Sequence, residues 1–323
     1  MTGPTSPVRS ELVGCSFCTI ARMLLTQEPL TDESLDDVVE FVRASNPFAQ
    51  QTWGWDTGRF VDWRWGSNSR TEAESPGWFE EHGRVFRSGG EIAAVAIAEY
   101  GGDDACIITQ GPNAAVVDWV LTALTNRRSD GGAGLRFEVA DGAEWLRPIF
   151  GRFGLVETPR TGTEWEYDLA AMLPAAGLPS GFAVESLIGR RSDDYAGIAD
   201  CIKRAFASGR DIRSALESLE ANPFFRPELS VFTRGPGGRI AAYCRGTVDP
   251  LNGVCGIDPV CTDPDFRQMG LARAVVEACF RTQRDLGGRF CYIGSAPVPA
   301  PSTKLYRSLG PSDISVSSTW SRR

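Results

Sequence analysis

The chain has 323 residues, 42% of them hydrophobic and 23% charged, a globular composition with room for about two domains of roughly 150 residues each. Its 33 basic and 41 acidic residues leave a net charge of −8, which disfavours nucleic acid as a partner, and no apolar run nears the roughly 18 residues of a membrane span. Residues 1–170 carry 14 basic and 26 acidic groups and residues 171–323 carry 19 and 15, so a polyanionic small ligand is expected to prefer the second half.

Taken in chain order, Ser16–Leu25 is apolar but contains Arg22 and lacks a following small-residue cleavage site, which predicts a short helix and not a signal peptide. Cys15 and Cys18 have the spacing of a metal or redox pair, but no second pair exists and the single histidine, His82, is distant, so they read as structural. The nine cysteines lie mostly in apolar runs and fit reduced, buried thiols in a cytoplasmic protein. Residues 1–29 read as an N-terminal extension and 30–169 as a first mixed α/β unit. Within that unit Gly89-Gly90 turns into an apolar strand, Gly111 precedes a helix at Ala114–Val117, Arg136-Phe137 opens another strand, and Asp168-Leu169 closes the unit.

Ala170–Gly181, with Pro174, Gly177, Pro179 and Gly181, is a linker. The second unit, 182–323, opens with Phe182–Leu187, which alternates like an edge strand. Helices follow at Asp194–Ala207 and Ile212–Glu220, strands at Leu229–Thr233, Ile240–Val248 and Gly253–Val260, a long helix at Leu271–Leu286, a strand at Phe290–Ile293 and a short helix at Thr303–Leu309.

The two units repeat each other. Gly89–Ala94 matches Gly237–Ala242 at an offset of 148, and Arg136-Phe137 matches Arg289-Phe290 at 153. Ile149–Gly154 matches Leu305–Gly310 at 156, and the Gly111 segment matches the Gly270 segment at 159. Four matches in one order within a narrow offset window imply two copies of one unit.

The segment richest in chemistry runs from Ile257 to Arg273, where a strand enters a short loop that opens a long helix. Gly270 and Ala272 are small enough for a ligand to approach the backbone, and the helix N-terminus adds partial positive charge, so Gln268–Arg273 reads as a pyrophosphate cradle. Pro259 cannot donate to a strand ladder and predicts a bulge that splays this strand from its neighbour and opens a slot.

Arg267-Gln268-Met269-Gly270-Leu271-Ala272 resembles the Arg/Gln-x-x-Gly-x-Gly/Ala signature of the GNAT superfamily of acyl-CoA N-acyltransferases, and Leu305-Tyr306-Arg307-Ser308-Leu309-Gly310 resembles that family's Leu-Tyr-x-x-Leu-Gly-Phe segment. The resemblance covers about 181–320 well and 30–168 weakly. It implies an α/β fold of two tandem units, each a mixed, mostly antiparallel sheet flanked by helices. It implies acetyl-CoA or another acyl-CoA as co-substrate and no metal. The backbone of Val260, Cys261 and Thr262 would hold the pantetheine arm and Arg267, Gln268, Met269, Gly270, Leu271, Ala272 and Arg273 the pyrophosphate. The Val260 N–H would polarise the thioester carbonyl, and Tyr306 would protonate the departing thiolate. Asp258 reads either as the base that strips the acceptor amine or as a hydrogen-bonded strand carboxylate. Cys261 lies on the donor strand, as a reactive or a packed thiol. The sequence departs from the family at Pro297, Pro299 and Pro301, where an Asn is usual, and at Pro311, where an aromatic is usual.

The first copy lacks these features. No arginine precedes Gly111, Pro112 removes a loop N–H, Asn113 replaces the second small residue, and Phe150 stands where the second copy has Tyr306. Eight of nine tryptophans lie in this half; Trp53, Trp55, Trp63 and Trp65, set around Asp56, Arg59, Asp62 and Arg64, read as an aromatic lid over the core or as an acidic pocket for a cationic amine. The expected activity is N-acyl transfer, most simply N-acetyl transfer, to a small-molecule amine by a monomer or homodimer. The alternatives are a carrier-protein or aminoacyl-tRNA donor on the same fold, and a non-catalytic acyl-CoA-binding protein.

Overall fold

Both copies run through the same order of six strands in the computed structural model, which describes residues 25–47, 55–65, 77–99, 101, 104–127, 134–171, 177–189, 191, 193–207, 212–222 and 224–322. The first copy comprises β1 (Leu25–Pro29), α1 (Leu35–Ser45), α2 (Thr57–Trp65), α3 (Trp78–His82), β2 (Gly83–Ser88), β3 (Glu91–Ile97), β4 (Asp104–Ile108), α4 (Ala114–Arg127), β5 (Arg136–Ala140), α5 (Arg147–Arg152) and β6 (Leu155–Asp168). The second comprises β7 (Ala183–Ser186), α6 (Asp194–Phe206), α7 (Ile212–Ser218), β8 (Ser230–Arg234), β9 (Ile240–Asp249), β10 (Val254–Thr262), α8 (Leu271–Asp285), β11 (Phe290–Ser295), α9 (Thr303–Ser308) and β12 (Asp313–Arg322).

The elements follow from the residue pattern. In α8, Leu271, Val275, Cys279 and Phe280 recur at helical spacing and are buried. The predicted second-copy strands and helices are all present, with ends moved by a few residues. Residues 1–29 are not wholly an extension: β1 begins at Leu25 and pairs antiparallel with β2, which brings it into the first copy's sheet. The predicted helix at Ser16–Leu25, the Cys15/Cys18 pair and Trp53 lie outside the described residues, apart from Leu25. Seven described cysteines are buried and free. No helix among the described residues is long and apolar enough to cross a membrane.

The strands form one twelve-stranded sheet in the order β1-β2-β3-β4-β5-β12-β6-β11-β10-β9-β8-β7. Read from either end, each copy contributes its first five strands, mostly antiparallel with one parallel step, β4 on β5 and β10 on β11. The last strands are exchanged. β12 of the second copy pairs with β5 of the first, β6 of the first copy pairs with β11 of the second, and β6 and β12 pair with each other at the centre. The separate sheets expected from the sequence are thus a single sheet in which each copy is finished by the other.

The exchange also completes both cores. Trp165 of β6 joins the second copy's buried cluster with its ring tilted against that of Tyr306 at 5.8 Å, while Trp320 of β12 joins the first copy's cluster 5.2 Å from Phe150. A second inter-copy contact is polar. Asp249, at the end of β9 and buried, accepts from Asn46 Nδ2 of the first copy at 2.9 Å and from Asn252 Nδ2 at 2.8 Å.

Removing Trp165 empties a buried aromatic site, and such truncations typically cost about 3–5 kcal/mol. We expect Trp165→Ala to lower the urea midpoint accordingly. Residues 178–323 expressed alone leave the β11 edge unpaired, and we expect that fragment to aggregate on size-exclusion chromatography. A soluble, cooperatively unfolding fragment would contradict the exchange.

Candidate active site

The second copy's slot is built by a break in β10. Ile257 pairs with Gly246 of β9 and Val260 with Cys244, so three steps on β10 match two on β9, a bulge at Asp258-Pro259. On the other side, β10 pairs with β11 only over Val254–Gly256, although β11 continues to Ser295. Beyond Gly256 the two strands diverge, as Pro259 predicted.

At the far end of β10, Asp263 is buried and caps the following turn by accepting from the Asp265 N–H. Arg204 and Arg239 both reach Asp263 and Asp265, which braces the turn and holds the Asp263 carboxyl below its usual range, its hydrogen bonds and arginine neighbours outweighing burial. Gln268 (φ 62°) and Gly270 (φ 80°) then take left-handed backbone and lead into α8. Gly270 is its N-cap and no side chain caps the helix. A Cβ on Gly270 would meet nothing within 4 Å, so the space beside it is open, and a substitution there acts through backbone strain or the new group's chemistry instead of a clash.

The side chains of this loop point elsewhere. Leu271 is buried in the core, Arg273 bonds Glu277 at 2.7 Å and the Ser308 carbonyl at 3.1 Å, and the Arg267 guanidinium donates to the Ala205 carbonyl at 3.2 Å. Gln268 and Met269 are exposed and Ala272 is half-buried. What the loop offers an anion is therefore mainly backbone N–H groups and the end of a helix dipole. On β10, Val260 and Thr262 are half-buried, whereas the Cys261 thiol is turned into the core beneath α6, 3.9 Å from Cys201 Sγ. Cys261 is a packed strand cysteine.

Tyr306, on α9, is buried against Trp165, and its backbone carbonyl accepts from the Tyr167 hydroxyl at 3.0 Å. Burial, and then the nearby Asp258 carboxylate, raise its phenol above the ordinary value, so it stays protonated at neutral pH. The two residues singled out as acid and base thus lie within electrostatic reach of each other.

The divergence of β10 and β11 opens into a cavity of about 330 Å³ between the two copies. Gly256, Ile257 and Asp258 of β10 and Tyr292, Gly294 and Ser295 of β11 line one side. The α2 segment of the first copy lines the other, resting on β9 at Gly58, where a Cβ would stand 2.4 Å from Thr247 Oγ1. The helix divides its residues: Phe60, Val61 and Trp63 are buried, while Arg59 and Asp62, with Asp56 just before the helix, line the cavity. The tryptophan cluster divides: the indoles of Trp55 and Trp63 belong to the first core, and the acids between them face the cavity.

Six carboxyl groups line this space: Asp56, Asp62, Glu99, Glu138, Glu164 and Asp258. Arg59 is bound to Glu99 at 2.7 Å and lies 3.7 Å from Glu138, and Arg245, buried beneath Asp62, bonds it at 2.6 Å. Burial raises the Asp62 carboxyl; Arg245 opposes this, but repulsion from Asp258 and Asp56 adds to it, and the group is pushed up to about 7. Asp258 is accessible from the cavity, yet the surrounding protein displaces enough water to raise its carboxyl too, against the pull of Arg245 and Arg59. Asp62 is the site residue that sequence reasoning placed only in a general acidic pocket; its nearness to Asp258 depends on a contact between the copies.

The first copy's equivalent site is altered. The Asn113 side-chain oxygen accepts the Val116 N–H at 3.2 Å and so caps α4, where α8 has no such cap. Phe150 packs on Trp320 as Tyr306 packs on Trp165, without the phenol.

Residues 197–310 match the sequence pattern of the acetyltransferase (GNAT) family. That match lies within the second copy. The whole chain has the tandem GNAT fold. It is similar to a GCN5-related N-acetyltransferase from Sphaerobacter thermophilus (TM-score 0.58, 14% identity, 91% of this chain and 95% of that one). It is equally similar to a tandem GNAT protein from the clavulanic acid biosynthesis pathway (TM-score 0.58, 13% identity, 91% and 98%). No curated protein sequence matches the chain. Within this tandem fold, the second copy has the uncapped helix terminus and the divergent strands that open into the cavity, and the first copy supplies the facing wall.

The carboxyl pair can be tested directly. We expect the Asp62 carboxyl to titrate near pH 7 in a ¹³C NMR pH series and Asp258→Asn to lower that midpoint by removing a like charge. Because the folded value lies above the unfolded one, this group's contribution to stability is fully present at acid pH and is lost as the pH rises through about 7.

Proposed function

We propose that the protein transfers an acyl group, most simply acetyl, from acyl-CoA held by the second copy to the amine of a small molecule held in the acidic cavity between the copies. The observation that carries this reading is the opening of the β10–β11 slot into a cavity walled by carboxylates from both copies. The uncapped start of α8 and the open space at Gly270 fit a pyrophosphate, and the diverging strands fit an extended arm.

In this reading the N–H groups at the start of α8 and the loop from Arg267 to Gly270 hold the pyrophosphate, and the backbone of Val260, Cys261 and Thr262 aligns the arm. Acyl-CoA, when bound, supplies a thioester carbonyl beside the bulge. The cavity's negative field draws in the protonated amine. Asp258, with Asp62 beside it, takes a proton from that ammonium, which frees the nitrogen lone pair for attack. The Val260 N–H faces the carbonyl oxygen as charge gathers there. Tyr306 gives its proton to the sulfur as the C–S bond breaks and recovers one from the nitrogen that has formed the new C–N bond.

Calorimetry should find one CoA per chain. Gly270→Asp should abolish binding by placing a negative charge at the helix terminus, whereas Gly111→Asp should leave it intact; two CoA per chain would overturn the assignment to one copy.

Tyr306→Phe should lower turnover about 10²-fold, the lower end of general acid contributions, with acetyl-CoA affinity little changed. Phe150 shows that the fold accepts the smaller side chain at the related position. Turnover should fall as the pH drops below about 7, where Asp62 takes up a proton. A flat profile from pH 5 to 8, or unchanged turnover in the variant, would remove the corresponding group from the mechanism.

A further inference from the structure

Arg245 is buried, at 5% exposed, and none of the proposed transfer steps uses it. Its place on β9 is set by the bulge. Ile257 pairs with Gly246 and Val260 with Cys244, so Arg245 alone faces both Asp258 and Pro259. Alternation along β9 decides where its side chain goes. A Cβ on Gly246 would meet Cys279 and Gln283 of α8, so Arg245 and Thr247 share the opposite face, toward α2 of the first copy.

Helix and strand are in step there. Gly58 of α2 rests on Thr247, and one helical turn later Asp62 meets Arg245, its Oδ2 2.6 Å from the guanidinium. Four helical residues rise about 6 Å and two strand residues about 7 Å, so both contacts form together. The Arg245 Nε is buried without a hydrogen-bond partner. In an arginine kept for packing alone that cost would go uncompensated. Here the charge also acts on Asp258, whose carboxyl it draws down against burial.

Asp62 and Asp258 are like charges in a space that already disfavours one. Burial raises the Asp62 carboxyl, Asp258 and Asp56 add to this, and Arg245 is the charge that opposes it. Of the other groups around the pair, Arg59 draws the Asp258 carboxyl down and Glu99 raises it, while the phenols of Tyr243 and Tyr306 sense Arg245 and Asp258 in turn.

We propose that Arg245 is a positioning residue for this site: one buried ion pair between the copies fixes Asp62 beside the bulge and supplies the positive charge that lets two carboxylates stand together where the amine enters. This rests on the proposed transfer and assigns the residue that sets its working pH.

The full chain, with ¹³C-labelled carboxyl groups and without acetyl-CoA or amine, is titrated by NMR as the unaltered protein and as Arg245→Met, Arg245→Gln and Arg245→Lys. Met keeps the apolar stem, Gln a hydrogen-bond donor and Lys the charge. We expect the Asp62 midpoint to rise by about one pH unit or more in the two neutral variants, as loss of an adjacent opposite charge does, and by less than half of that in Arg245→Lys. Thiol release from acetyl-CoA is then followed against pH with ethanolamine, putrescine and glucosamine. The acid limb of turnover should move up with the Asp62 midpoint, so that turnover in the neutral variants falls several-fold at neutral pH and recovers about two pH units higher, with KM for acetyl-CoA little changed. Unchanged far-ultraviolet circular dichroism confirms the fold.

An Asp62 midpoint unmoved in the neutral variants overturns the inference, whatever their turnover. So does an Arg245→Lys titration that matches Arg245→Met, because charge is then not what Arg245 supplies. A moved midpoint with an unmoved pH dependence of turnover overturns the link from Arg245 to transfer. A moved midpoint in a chain that releases no thiol with any of the amines instead tells against the transfer reading and leaves Arg245 as the partner that fixes Asp62.

Discussion

The exchange of β6 and β12 is the constraint on which the molecule depends. A strand pair at the centre of a twelve-stranded sheet joins two copies that would otherwise expose unpaired edges at β5 and β11. The same exchange delivers Trp165 to the second copy and Trp320 to the first, so backbone pairing and core packing across the copies are set by one topological choice. The cavity is a by-product of this choice. Its floor runs over β10, β11, β6, β12 and β5, and its roof is a first-copy helix, so neither copy encloses it alone.

This arrangement explains how two copies with one ancestral pattern can differ so far in chemistry. In the second, the bulge at Asp258-Pro259, the left-handed loop and an uncapped helix leave backbone groups available. In the first, an asparagine caps the helix, Pro112 follows a still left-handed Gly111, and Phe150 replaces the phenol. The first copy's α2 presents Asp56, Arg59 and Asp62 to its neighbour.

Much of this was legible in the residues. Repeats such as Gly89–Ala94 with Gly237–Ala242 exposed the tandem architecture because turn glycines and apolar strands are locally encoded. The bulge was legible for the same reason, since a proline cannot donate to a ladder wherever the strand lies. The exchange was not, because β6 and β12 alternate in the same way whichever copy they join. Trp165 and Trp320, at an offset of 155, were a repeat signal that could have marked the two strands as equivalents. The Asp62–Asp258 proximity had no local signature, because its residues are almost two hundred positions apart and α2 meets β9 only in three dimensions. Cys261 was read as a reactive or a packed thiol on this strand; the alternation of β10 past the bulge turns it toward α6 and decides for packing.

The crossing of the two strands also has a consequence for biosynthesis. β5 finds its outer neighbour in Ser317–Ser321, so Ala140 waits for a residue 177 positions later. A nascent first copy therefore leaves the ribosome with one edge of its sheet bare and the place of Trp320 vacant. Ordering so distant a contact is slow, because the loop must close before the pairing rewards it. The first copy cannot act as a finished template on which the second folds; the two condense together once β12 is available. Translation order and folding order are in this way uncoupled, and β12 closes both units in one event.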